Sequence, residues 1–188
     1  MWNVLWQEGS PLLQWGVVLG ASLAAAFTDV GRRRIPNLLT LPLLLTGLVY
    51  GAVAAGAAGL ADSLAAAVVL ALPYVLLHVL AGGGAGDAKL MAGIGAWLGL
   101  ANGVAALLAV ALAGVLMGVL MAGASGGLRL AMARVRQVSA RMVLNYYGAG
   151  LPQRPPRGRK RLTMPYGLAI CAGCWVAGVA VLVWRAHS

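Results

Sequence analysis

Acidic side chains are nearly missing from this chain. Among 188 residues there are four: Glu8, Asp29, Asp62 and Asp87. Charged residues of both signs make up only 10% of the sequence, too few for a soluble domain of this length. Histidine is almost as scarce, with His78 and His187 alone. Each lies near a different predicted membrane face, so no Ser-His-Asp arrangement is supported, and His78 reads as a packed or interfacial side chain. Cysteine occurs as one CxxC pair, Cys171 and Cys174, inside an apolar run. A zinc site there would need two further ligands that the chain does not offer nearby. The two cysteines are expected to be small packing residues, and neither metal nor cofactor is expected.

What is present is long apolar sequence, 61% hydrophobic with a mean hydropathy of +0.87. The expected fold class is all-α: a polytopic integral membrane protein with six transmembrane helices and its N-terminus outside, forming one membrane-embedded domain over 1–188. The spans are placed at about 12–28, 36–60, 63–81, 87–100, 104–124 and 166–184, with a basic cytoplasmic loop over 125–163. Gly56, Gly59 and Asp62 mark an outer turn. Lys89 and Arg129 bracket 39 uncharged residues, roughly twice a bilayer core at 1.5 Å per residue, and Asn102-Gly103 is the expected break. That leaves the fourth span short, with its start sunk below the cytoplasmic surface.

The formal charge of +10 would suit nucleic acid, but its placement argues for orientation in a membrane instead. Thirteen of the fourteen basic residues fall on one side of the predicted topology: Arg32, Arg33, Arg34, Lys89 and the nine between Arg129 and Arg161. That side is cytoplasmic by the positive-inside rule, in the inner membrane. The basic loop is read as an anchor on anionic lipid, and nucleic acid is not an expected partner.

Asp29 and Asp87 then fall on the cytoplasmic side, at corresponding ends of odd-numbered spans. An ionisable group between apolar runs is costly, and so is a functional candidate. Two carboxylates brought together cannot both ionise cheaply, so one keeps a proton. The charged one can take a proton from water attacking a carbonyl, while the other polarises that carbonyl or protonates the leaving nitrogen. Asp87, near Lys89 and at a helix start, is expected to be the more readily ionised of the two. A proton-coupled transporter or a secretion-system assembly component could also carry such acids, and composition alone leaves these readings open.

The motifs favour one of them. Gly84-Ala85-Gly86-Asp87-Ala88-Lys89-Leu90 resembles the GxGD signature of the prepilin peptidase family of membrane aspartyl proteases. Asp29, followed by Ile35-Pro36-Asn37, resembles that family's first catalytic block. Met164-Pro165-Tyr166-Gly167 resembles the run that opens the last span in the short, tight-adherence (Flp pilus) branch. The resemblance implies an endopeptidase with Asp29 and Asp87 as its catalytic pair, supported by Gly84, Gly86, Lys89, Pro36 and Asn37. It implies cleavage of the basic leader from prepilins or pseudopilins, with membrane lipids and other pilus assembly proteins as further partners. Longer family members carry a cysteine-rich cytoplasmic insert and also N-methylate their product. Here Pro36 lies seven positions after Asp29, which leaves no room for that insert. Protease activity without methyltransferase activity is therefore expected.

Overall fold

The computed structural model describes residues 11–32, 35–81, 84–124, 140 and 166–187. The described part is all-helical. Helix α1 spans Pro11–Arg32, α2 Asn37–Ala81, α3 Ala85–Ala124 and α4 Tyr166–Ala186. Each contains a stretch long and apolar enough to cross a membrane. In a medium without water every backbone N–H and C=O must be satisfied internally, which uncharged runs of this length do by coiling. The side chains agree with such surroundings: Leu38 is 87% exposed and Phe27 78%, on surfaces a soluble protein would keep polar. The aromatic N-terminal residues Trp2 and Trp6 and, Ala140 apart, the basic stretch 125–163 lie outside the described residues.

Two of the helices are too long to be straight. Unbroken, α2 with its 45 residues would reach roughly 68 Å and α3 with 40 residues roughly 60 Å. Instead α2 leaves helical geometry at Ala55 and Gly56, and α3 at Gly99. Gly56 and Gly99 take φ of +62° and +69°, where a side chain would be strained. At both points the helix doubles back. Gly51 touches Gly59 and Ser63 across the first reversal, and Gly103 lies against Gly95 across the second. Only small residues allow such close passage of backbone.

The reversal in α2 falls at the glycine where the sequence marks the outer turn. The one in α3 does not fall where expected. Asn102 and Gly103 are helical, and the break comes at Gly99. The physical reason lies in α2: the Asp62 carboxylate accepts the Leu100 amide at 3.2 Å, capping the helix that restarts there.

Packing contacts fix the direction of each segment. The first half of α2 runs parallel to the first half of α3, since Leu43 meets Gly93 and Gly47 meets Ala96 and Trp97. Trp97 reinforces this contact by donating from Nε1 to the Leu43 carbonyl at 3.0 Å and stacking on Tyr50. The second half of α2 runs the other way, with Ala66 against Gly95. Helix α4 is antiparallel to the second half of α3, with Gly173 on Val110 and Gly114 on Tyr166. Helix α1 is antiparallel to α4, with Trp15 on Gly178 and Asp29 on Gly167. The six segments into which α1–α4 divide thus alternate in direction along the chain. Their common core includes Trp15, Leu70, Leu90, Met91, Ile94 and Ile170.

Candidate active site

Alternation brings three termini to one end of the bundle: the end of α1, the start of α3 and the start of α4. Asp29 lies in the last turn of α1 and Asp87 in the first turn of α3. Both are half-buried, and Asp87 lies within electrostatic reach of Asp29. A negative charge is well placed at a helix N-terminus and badly placed at a C-terminus. Asp87 is therefore favoured by its own helix, and Asp29 is not. Asp29 finds its partner elsewhere: Oδ2 accepts the backbone N–H of Gly167, in the first turn of α4, at 2.9 Å.

The neighbouring residues define space around the acids. A Cβ on Gly84 would sit 2.8 Å from Asp87 Oδ2, so a side chain there would press on the carboxylate. A Cβ on Gly86 would sit 3.2 Å from Cβ of Ile35, in the short link between α1 and α2. These two glycines thus do separate jobs, one clearing the carboxylate and the other admitting the Ile35 segment. Pro36 opens α2, its carbonyl accepting the amides of Leu39 and Thr40 at 3.0 and 3.4 Å. Asn37 Oδ1 accepts Lys89 Nζ at 2.9 Å, which ties the start of α2 to the start of α3. Lys89 is thus hydrogen-bonded to an amide in the neighbouring helix.

The geometry adds three residues to those singled out by the sequence. Gly167 supplies the amide to Asp29. Tyr166 and Tyr74 meet edge-on with ring centroids 6.0 Å apart, and both lie within electrostatic reach of Asp87. The signal for Tyr166 and Gly167 is the Pro-Tyr-Gly run that opens α4. Tyr74 has none, because a tyrosine inside a long apolar helix is as readily a packing residue. Cys171 and Cys174 are buried in α4.

Helices apolar enough to span a bilayer, with two acids held at one end of the bundle, make this a helical membrane protein with a candidate site among its helix termini. A profile of the type IV leader peptidase family matches residues 16–119, more than half of the chain, and the chain belongs to that family. The matched stretch contains Asp29, Pro36, Asn37, Gly84, Gly86, Asp87 and Lys89, and ends before α4. No curated protein and no solved structure matches the chain significantly.

Proposed function

We propose that this chain is an aspartyl endopeptidase that removes the basic leader from prepilins or pseudopilins at the cytoplasmic face of the inner membrane, with Asp29 and Asp87 as its catalytic pair. The observation that carries the reading is the approach of these two acids, the end of one helix to the start of another, within a chain of the leader peptidase family. The reaction needs nothing beyond the pair. One carboxylate takes a proton from water as the water oxygen bonds to the scissile carbonyl carbon. The protonated partner polarises that carbonyl oxygen and then gives its proton to the departing nitrogen as the C–N bond breaks. The products are the leader's new carboxylate and the pilin's new amino terminus.

The alternating segments support six membrane crossings with the N-terminus outside. In that arrangement the first half of α3, about 14 residues or roughly 21 Å, falls short of the ~30 Å hydrocarbon core. Asp87 is then drawn below the inner surface, level with the boundary between a substrate's leader and its apolar helix. The Pro-Tyr-Gly run at the start of α4 supports the Flp branch, and the four-residue link between α1 and α2 supports cleavage without methylation. Membrane lipids and other pilus assembly proteins are the further partners in this reading.

The test is cleavage of a co-expressed prepilin in membranes. Asp29→Asn and Asp87→Asn should each lower the rate by roughly 100- to 10,000-fold, the range general acid–base groups supply, while the protein still inserts. Unchanged processing by either variant would remove the assignment. If it came with loss of secretion or transport, the acids would belong to a transporter or an assembly component.

A further inference from the structure

We infer that Gly167 is a positioning residue for this chemistry: its backbone amide fixes the orientation of the Asp29 carboxylate in which the pair can act on water and substrate. The inference rests on the peptidase reading and deepens it. Asp29 Oδ2 is occupied by the Gly167 N–H at 2.9 Å, which leaves Oδ1 as the oxygen that can meet water. Asp29 also lies in the last turn of its own helix, where the unsatisfied carbonyls repel its charge, and the first turn of α4 offsets this. In that turn the Gly167 amide has no partner within α4 to compete for it.

The donor is held in place from both sides. The Tyr166 ring packs edge-on against Tyr74 of α2, and its Oη lies where a Cβ on Gly114 of α3 would be 2.7 Å away. Tyr166 thus clamps the start of α4 between two other helices, with the next residue's amide aimed at Asp29. Glycine is needed at 167 for clearance. A Cβ there would lie 2.9 Å from Cβ, 3.0 Å from Oδ2 and 3.3 Å from Cγ of Asp29. A methyl group would therefore push the carboxylate off its donor.

The experiment measures kcat and KM for a purified prepilin with the full-length enzyme in detergent, alongside its melting temperature. Gly167→Ala should lower kcat by roughly 100-fold, the cost of misplacing a reacting group by about 1 Å, with KM unchanged. Gly20→Ala, on the same helix as Asp29 and with nothing near its added methyl, should match the parent. If Gly167→Ala does not insert, Tyr166→Leu tests the same clamp without adding atoms beside Asp29, and it should lower kcat about tenfold at constant KM. A normal kcat in whichever of these variants folds would overturn the inference. So would a loss confined to KM or to melting temperature, which is the mark of a merely structural role. Processing that survives in Asp29→Asn or Asp87→Asn would instead overturn the peptidase reading, so the two failures are distinguishable.

Discussion

Single atoms decide much at the end of the bundle where the acids lie. Gly84 has no room for a methyl beside Asp87 Oδ2, and Gly86 has little beside Ile35. Gly84→Ala should reduce prepilin cleavage by roughly tenfold while leaving expression intact, since the displaced group is the carboxylate alone. Gly86→Val should act differently. Its side chain meets the α1–α2 link, so it should lower the melting temperature in detergent as well as activity, as overpacking does. The Asn37–Lys89 contact lies at an exposed surface, and its loss in Asn37→Ala should cost no more than about 1 kcal/mol. Thermal unfolding distinguishes these outcomes. The GxGD glycines can be picked out from sequence, because a glycine beside a lone acid in apolar surroundings already points to close approach. Which glycine clears which neighbour cannot be read there, because Ile35 and Gly86 meet only once α1 has turned into α2.

At the level of the helices, the two reversals differ in how they are specified. Gly56 turns α2 in a stretch where Gly51, Gly59 and Ser63 permit the halves to touch. That cluster of small residues is visible along the chain. The turn in α3 has several candidate glycines, among them Gly93, Gly95, Gly99 and Gly103, within one uncharged run. Local preference cannot choose between them, and the expected break at Asn102-Gly103 is not the one used. The choice is made by Asp62, a residue of another helix, which caps Leu100. Asp62→Ala should therefore destabilise the protein by about 1 kcal/mol, the usual worth of a helix cap, read as a lower melting temperature with little change in kcat. Gly99→Ala should add strain at φ +69° and lower the melting temperature also.

Across the whole molecule, alternation of direction is what places Asp29, Asp87 and the start of α4 together. The sequence conveys the all-helical class, the family and the candidate acids. Apolar length, charge placement and the GxGD block are local properties, and local properties survive without coordinates. The Gly167–Asp29 hydrogen bond is invisible at that level, because a backbone amide has no side-chain signature and its acceptor lies in the first helix. The six crossings proposed above make a direct prediction. Cysteines introduced at Ala57 and Ala101, beside the two reversals, should react with an impermeant reagent from outside the cell. One at Ala85, beside the candidate site, should react only after the membrane is opened.

The pairing of α1 with α4 also bears on how the protein is made. Asp29 and Asp87 emerge from the ribosome early, but the amide that orients Asp29 belongs to the last helix to be synthesised. Helix α1 packs chiefly on that same helix. A nascent chain halted before residue 166 would carry both acids and yet leave α1 without its main neighbour. On the proposed reading, the candidate site would therefore be complete only once the final segment has inserted.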